Sequence, residues 1–205
     1  MPESPRSGPE LSLVVPVYNE EENLRPLYER ITAAMAPLGR TWELILVDDG
    51  SRDGSLRTLE ALHKDDPAHV RVVELLRNFG QHAAVFAGFA QARGEVVVTL
   101  DADLQNPPEE IQVLLRTIDE GFDVVGGYRR DREDSWFRKT ASRIVNRITA
   151  RATGVKMRDY GCMLRAYRRP IVEAMVATTE IATFIPALAN AFARDVAEVE
   201  VAHAP

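Results

Sequence analysis

The chain has 205 residues, enough for one sizeable domain with a buried core, and its 45% hydrophobic and 27% charged residues are ordinary for a globular protein. Its net charge of −6 argues against a nucleic-acid partner, and a single cysteine, Cys162, excludes an internal disulfide framework. The charge is uneven, because residues 129–169 hold 13 Lys and Arg against 4 Asp and Glu, whereas the remaining residues hold 12 against 27. This basic segment predicts an anionic partner, either lipid or phosphate.

The sequence predicts neither a signal peptide nor a membrane span. Residues 1–10 contain Pro and Ser but no apolar core, so we expect a flexible N-terminus. The longest late uncharged stretch, residues 181–193, is too short to span a bilayer. We therefore expect residues 11–205 to form a domain that is soluble or peripheral to a membrane.

Apolar runs and amphipathic stretches alternate through the first 127 residues. Asn19 is expected to cap the first helix. This alternation predicts an α/β fold, a mostly parallel sheet flanked by helices and similar to a Rossmann fold. The predicted strands are 11–17, 43–47, 70–76, 96–100 and 122–127, and the predicted helices are 21–36, 55–64, 83–92 and 107–120.

The pattern changes after residue 127. Residues 128–158 are basic, and within them residues 136–151 predict an amphipathic helix with a cationic stripe. One interpretation is a surface helix with solvated charges, and the other is a helix lying on an anionic membrane with Trp136 at the headgroups. The later predicted elements are a strand at 161–167, helices at 169–177 and 184–193, and a strand at 196–201.

Three predicted strands end in polar residues, at Tyr18, Asp48 and Asp101. Since the carboxyl ends of parallel strands share one edge of a sheet, these clusters are expected to converge on one ligand. Asp101 and Asp103 repel each other unless a cation lies between them, and their hard oxygen atoms suit Mg²⁺ or Mn²⁺. The alternative is that both carboxylates are solvated turn residues.

Three motifs together resemble the family 2 glycosyltransferases, which have a GT-A fold, and within them the polyprenyl-phosphate glycosyltransferases. The motifs are residues 16–20, 48–51 and 101–105, in the order and spacing of that family, and the resemblance runs from Leu11 to the end. Residues 134–142, 159–169 and 183–194 are similar to one branch of the family. That resemblance implies transfer of 4-deoxy-4-formamido-L-arabinose from UDP to undecaprenyl phosphate, with inversion, at the cytoplasmic face of the bacterial inner membrane. The product serves lipid A modification and polymyxin resistance.

The resemblance also implies roles for individual residues. The nucleotide's base and ribose would meet Pro16, Tyr18, Glu20, Val47 and Asp49. The ribose and diphosphate would meet Asp101, Ala102 and Asp103, with Mg²⁺ or Mn²⁺ on Asp103 and Gln105 and with Asp101 as a third candidate ligand. Arg129 would contact phosphate, and Asp159 is the candidate for a base or an acceptor-positioning group. The lipid phosphate and the membrane would meet Trp136, Phe137, Arg138 and Lys139.

Alternatives to this function remain open at this point. Within the family, the donor sugar could instead be glucose or mannose, and outside it the chain could bind a nucleotide-sugar without turning it over. A dinucleotide-dependent oxidoreductase is disfavoured, because the turn at residues 15–20 contains no glycine. Such family members usually continue with a basic segment and two transmembrane helices, so we expect the chain to be a fragment. A homo-oligomer is compatible with the sequence.

Overall fold

A computed structural model of the chain describes residues 8–129, 159, 161–178 and 184–202. The predicted basic helix at 136–151, with Trp136, Phe137, Arg138 and Lys139, lies outside the described residues. Within the described residues, no helix is both long enough and apolar enough to cross a membrane.

The described part of the chain is built around a seven-stranded sheet. Its strand order is β3-β2-β1-β4-β6-β5-β7, and β6 runs antiparallel to both of its neighbours while all other neighbouring strands pair in parallel. This confirms the predicted α/β fold with a mostly parallel sheet. The strands are β1 (Leu11–Val17), β2 (Trp42–Asp48), β3 (Val70–Glu74), β4 (Val96–Thr99), β5 (Val124–Arg129), β6 (Arg165–Arg168) and β7 (Val196–Val201).

Helices cover both faces of the sheet. One hydrophobic cluster joins alternate residues of β1, such as Leu13 and Val15, to α1, α2 and α4. The other joins Val14 and the central strands to α3, α5 and α6. The helices are α1 (Glu21–Met35), α2 (Ser55–Asp65), α3 (Gln81–Gln91), α4 (Ile111–Asp119), α5 (Arg169–Val176) and α6 (Ile185–Phe192).

The central strands are apolar runs because both of their faces are covered. Every residue of β1 and β4 is buried, which is typical of parallel strands between two helical layers. Gly88 lets α3 approach the sheet closely, since a Cβ atom there would lie 2.3 Å from Cγ1 of Val14. The lack of a side chain at this position therefore permits close packing of α3 on the sheet.

Some local predictions were wrong. Asn19 does not cap α1, because its backbone is in the left-handed region (φ 57°) and its Oδ1 accepts a hydrogen bond from the backbone N–H of Arg52 (2.8 Å). Asp53 Oδ2 instead accepts from the N–H of Glu21 at 3.3 Å. The predicted helix at 107–120 begins as a 3₁₀ turn, Pro108–Glu110, and becomes α-helical only at Ile111.

The fifth strand continues further than its composition indicates. It was predicted to end at residue 127, but Tyr128 and Arg129 pair with Glu200 and Val201 of β7. Because β4 and β5 both run antiparallel to β6, they point in the same direction, and Arg129 lies at the same edge of the sheet as Asp101. Arg129, which belongs to the basic segment 128–158, is thus held by the sheet.

Candidate active site

A cleft of about 290 Å³ opens at the carboxyl ends of β1 to β4. This is the edge at which open parallel sheets bind ligands. The cleft brings together most of the residues predicted from the sequence for the nucleotide and diphosphate. Its lining consists of Pro16, Val17, Tyr18, Glu20, Asp49, Asn78, Gly80, Gln81, Asp101, Ala102 and Asp103.

Side chains from the loop after β2 hold the loop after β1. Ser51 Oγ accepts a hydrogen bond from the N–H of Asn19 (3.0 Å), and Ser55 Oγ accepts one from the N–H of Glu20 (2.9 Å). These contacts satisfy backbone donors just before α1, which the helix itself cannot use. Tyr18 is thereby presented in the cleft with 41% of its surface exposed.

Asp49 fixes the loop after β3. Its Oδ1 accepts from the N–H of Phe79 (2.7 Å) and its Oδ2 from the N–H of Gly80 (2.9 Å), although only 3% of the residue is exposed. Gly50, with φ 69°, makes this approach possible, because a Cβ atom there would lie 2.5 Å from the carbonyl carbon of Arg77. Asp49 therefore connects the ends of β2 and β3.

Two side-chain amides bind Asp101. Gln81 Nε2 donates to its Oδ1 at 2.8 Å, and Asn106 Nδ2 donates to its Oδ2 at 3.1 Å. Burial and the nearby charge of Asp103 raise the pKa of Asp101 to about 6, although the two amides and Arg129 act in the opposite direction. The site thus concentrates negative charge where a cationic ligand would be favoured.

Asp103 is exposed at the mouth of the cleft. Its Oδ1 accepts from the N–H of Gln105 at 3.0 Å, and Leu104 between them has a left-handed backbone (φ 64°). Leucine rarely adopts this conformation, which places Asp103 and Gln105 on one tight turn. Gln105 is also exposed, and it lies outside the cleft lining.

The donor set fits an open site for a hard divalent cation. Among the described residues, no group of three or more His, Cys, Asp or Glu side chains could hold a metal by itself. Mg²⁺ commonly uses only one or two carboxylates and completes its shell with water and substrate phosphates. Asp103 and Gln105, with Asp101 beside them, offer oxygen atoms of this kind.

Arg129 and Asp159 form an ion pair next to the cleft. Arg129 Nε donates to Asp159 Oδ2 at 2.7 Å and its Nη2 donates to Oδ1 at 3.3 Å. Asp159 Oδ1 also accepts from the N–H of Gly161, and Arg165 Nη2 donates to the carbonyl of Asp159. Neither Arg129 nor Asp159 lines the cleft itself.

The remaining predicted contacts are not assembled in this cleft. Val47 is fully buried in β2, its side chain packs toward Gly88, and it is absent from the cleft lining. The nucleotide contact of Val47 therefore stays a prediction. The roles of Trp136, Phe137, Arg138 and Lys139 stay predictions as well.

Sequence reasoning missed the loop after β3 and one buried amide. Asn78, Gly80 and Gln81 line the cleft, and Asn106, only 4% exposed, holds Asp101. The signal for the loop was the turn residues that follow the third predicted strand, a fourth polar strand end on the same edge. Asn106 gave no signal beyond its position five residues after Asp101.

A mostly parallel α/β sheet with one antiparallel strand, and a cleft lined by carboxylates at its carboxyl edge, is the GT-A architecture of nucleotide-sugar transferases. The profile of "Glycosyl transferase family 2" matches residues 12–176, so the chain belongs to glycosyl transferase family 2.

Several curated relatives share more than half of their aligned residues with this chain. The undecaprenyl-phosphate 4-deoxy-4-formamido-L-arabinose transferases of Proteus mirabilis (strain HI4320) and Pseudomonas aeruginosa (strain UCBPP-PA14) are each 58% identical over 194 residues. The alignment covers 95% of this chain and 60% or 57% of those relatives. The chain thus spans less than two thirds of the length of the curated relatives it matches.

Solved structures share the fold at low identity. Glucosyl-3-phosphoglycerate synthase from Mycobacterium tuberculosis, in complex with Mn²⁺, UDP and glucosyl-3-phosphoglycerate, gives a TM-score of 0.65 at 21% identity and covers 98% of this chain and 74% of that one. A mannosyltransferase from Pyrobaculum calidifontis, in complex with GDP-Man and Mn²⁺, gives 0.59 at 21% identity, with 83% and 47% covered. These similarities support the GT-A fold.

Proposed function

We propose that residues 11–205 form the catalytic domain of a transferase that moves 4-deoxy-4-formamido-L-arabinose from UDP to undecaprenyl phosphate. The observation that carries the proposal is that Asp101 and Asp103, at the end of β4, share one cleft with Tyr18 and Asp49. The activity for which the relatives at 58% identity are named supports the donor and the acceptor. The product would serve lipid A modification and polymyxin resistance.

The half of the cleft formed by β1 and β2 would bind uridine. Tyr18 offers an exposed aromatic face, and Pro16 and Glu20 lie beside it. Asp49 already accepts one backbone hydrogen bond on each carboxylate oxygen, and each oxygen keeps a further lone pair for the uracil N–H. Because the loop after β3 holds both carboxylate oxygens of Asp49, this carboxylate is oriented before the nucleotide arrives.

The half formed by β4 would bind the diphosphate. Asp103 and Gln105 would hold Mg²⁺ or Mn²⁺, with Asp101 as a third candidate ligand and Ala102 next to the ribose. When bound, such an ion supplies positive charge opposite the departing UDP. Arg129 would add a planar guanidinium suited to phosphate oxygens, from the same edge of the sheet.

The acceptor needs little help from a base. It is a phosphate oxygen, which is largely anionic near neutral pH because the second pKa of a phosphomonoester is about 6. Asp159 is the candidate for a base or an acceptor-positioning group, but both of its oxygens already accept hydrogen bonds from Arg129. These contacts favour a role in which Asp159 orients Arg129, which in turn binds a phosphate.

The acceptor is lipid-linked, so the domain would work against a membrane. We propose that Trp136 and Phe137 touch the cytoplasmic face of the inner membrane while Arg138 and Lys139 bind the lipid phosphate. Basic residues near an anionic surface contribute about 1 kcal/mol each. Charge reversal of Arg138 and Lys139 should abolish binding to vesicles that contain anionic lipid, and unchanged binding would contradict this assignment.

The test is a transfer assay with the chain, Mn²⁺, undecaprenyl phosphate and UDP-4-deoxy-4-formamido-L-arabinose, with UDP-glucose as the competing donor. Asp103→Asn should lose at least about a hundredfold in turnover, since it removes a carboxylate that would hold the metal ion opposite the departing UDP. Asp65→Asn is the matched control, because Asp65 is exposed on α2, outside the cleft lining, and its side chain forms an ion pair with Arg25. Transfer from UDP-glucose alone would change the donor, and UDP binding without any product would favour a non-catalytic module.

A further inference from the structure

The carboxylate of Asp101 is held from two elements at once. Gln81 reaches it from the first residue of α3, and Asn106 reaches it from the loop after β4. We propose that Gln81 is a positioning residue, which holds Asp101 in the orientation that the nucleotide-diphosphate and its metal require. This inference rests on the proposed function, because it concerns the same cleft.

Each of the two amides donates a hydrogen bond to a different oxygen of the Asp101 carboxylate. Gln81 Nε2 lies 2.8 Å from Oδ1, and Asn106 Nδ2 lies 3.1 Å from Oδ2. The orientation of the Asn106 amide is fixed by a second contact, because its Oδ1 accepts from the buried thiol of Cys162 at 3.9 Å. With one donor on each oxygen, rotation of the Asp101 side chain would break both hydrogen bonds.

The position of Gln81 is itself fixed by the other carboxylate of the cleft. The N–H of Gly80, the residue before Gln81, donates to Asp49 Oδ2 at 2.9 Å, and Gly80 has φ 94°, a conformation that favours glycine. The start of α3 is therefore docked on the end of β2, and from there Gln81 reaches the end of β4. One short segment thus connects the uridine half of the cleft to the diphosphate half.

Asp101 needs such a connection because it lies in an unfavourable environment. It is partly buried and close to the carboxylate of Asp103, so an unrestrained side chain would turn away from the like charge. Groups that orient a ligating carboxylate through hydrogen bonds typically change metal affinity by about 10- to 100-fold when they are removed. Gln81 is exposed, so its replacement should leave the fold intact.

The test compares four variants by calorimetric titration with UDP in the presence of MnCl₂. Gln81→Met keeps the length of the side chain but removes the donor, and it should weaken UDP binding about tenfold. Gln81→Glu places an acceptor and a like charge against Asp101 and should weaken binding further. Gln81→Lys restores a donor and should bind UDP within about threefold of the wild type. Gln112→Met, an exposed glutamine of α4 bonded to Arg116, is the matched control and should bind like the wild type.

The outcomes separate this inference from the proposed function. Wild-type affinity in Gln81→Met and Gln81→Glu would overturn the role of Gln81 and leave the nucleotide site intact. Equal losses in Gln81→Met and Gln81→Lys would also overturn it, since the donor would then not matter. Failure of the wild-type chain to bind UDP with Mn²⁺ would overturn the proposed function, and the role of Gln81 with it.

Discussion

Asp159 holds the guanidinium of Arg129 through two hydrogen bonds, of 2.7 Å from Nε and 3.3 Å from Nη2. The two side chains are only 7% and 15% exposed, so water screens the pair weakly. The carbonyl of Asp159 is bound in turn by the buried side chain of Arg165, which anchors the loop that carries the carboxylate. Arg129 is therefore oriented at the sheet edge before any ligand binds.

This relationship predicts how Asp159→Asn will behave. The amide keeps the size of the side chain but loses the charge, so we expect turnover to fall about 10- to 100-fold because Arg129 is no longer held. A positioning residue should lower the whole pH–rate profile without changing its shape. If the variant instead lost the acidic limb of that profile, Asp159 would be the base. Arg129→Lys should show a loss of similar size, since lysine lacks the planar fork.

The pKa of Asp101 predicts a pH dependence of donor binding. When Asp101 is protonated, it carries no negative charge to attract a metal ion. Metal-dependent binding of a UDP-sugar should therefore weaken as the pH falls through about 6, by up to about tenfold per pH unit. The ligand should be UDP-glucose rather than UDP, because the terminal phosphate of UDP itself titrates near pH 6. Calorimetry at pH 5 and pH 7.5 measures the change.

Asp101→Asn is the control for this linkage. The variant cannot take up the proton, so its weaker affinity should be flat between pH 5 and pH 7.5. An equally steep pH dependence in the variant would assign the proton to another group.

The parts of the site that were predictable are those encoded locally. An apolar run that ends abruptly in polar residues marks the end of a buried strand, and this placed Tyr18 and Asp101 correctly at one edge. The second strand end was predicted at Asp48, which is buried, and it is the next residue, Asp49, that lines the cleft. The end of β3 was not predictable in the same way. Leu75 and Leu76 extend the apolar pattern in the sequence, but the strand ends at Glu74 and Leu76 is 98% exposed.

Long-range hydrogen bonds account for the remaining differences. The loop after β3 owes its position to Asp49, thirty residues earlier in the chain, and no local pattern encodes that contact. The capping prediction at Asn19 failed for the same reason, because the side chain of Asn19 accepts a hydrogen bond from the backbone N–H of Arg52. Tertiary contacts of this kind override local preferences at sites that must meet a ligand.

The buried side chain of Glu43, which lies outside the cleft, leads to a separate prediction about the free energy of unfolding. It is 1% exposed in β2 and accepts hydrogen bonds from Ser12 Oγ (2.7 Å) and from Nε and Nη2 of Arg93 (2.9 and 2.6 Å). Burial alone would raise the pKa of Glu43, but the hydrogen bonds from Arg93 and Ser12 outweigh it and hold the pKa below its ordinary value. Glu43→Gln should therefore lower the free energy of unfolding by about 2 kcal/mol at pH 7.

The sign of the pH dependence follows from that direction. Because the pKa of Glu43 is lower in the folded than in the unfolded state, its contribution is complete above pH 4.5 and is lost as the pH falls through the folded value. Urea unfolding at pH 7 and at pH 4 should show the difference between wild type and Glu43→Gln shrinking at the lower pH. Glu60→Gln, on the exposed face of α2, should match the wild type at both. A difference that grew toward low pH would contradict this account.

Gly50 offers a test of how the cleft depends on the loop after β3. Gly50 and Gly39 both have positive φ, of 69° and 63°, so alanine at either position costs about 1–2 kcal/mol in backbone strain. Of the two, only Gly50 would bring the added Cβ atom against the backbone of Arg77, at 2.5 Å, whereas at Gly39 no atom of the described residues lies within 4 Å. The difference between the two variants therefore isolates the clash.

We expect Gly50→Ala to lose about 2 kcal/mol more in free energy of unfolding than Gly39→Ala, because overpacking forces the backbone to shift. The shift should also displace the N–H groups of Phe79 and Gly80 from Asp49, so UDP binding should weaken at least about tenfold in Gly50→Ala and stay unchanged in Gly39→Ala. Urea unfolding and UDP titration of both variants measure the two effects. Equal UDP affinities would mean that the loop after β3 can move without disturbing the site, and that Asp49 alone sets the uridine half of the cleft.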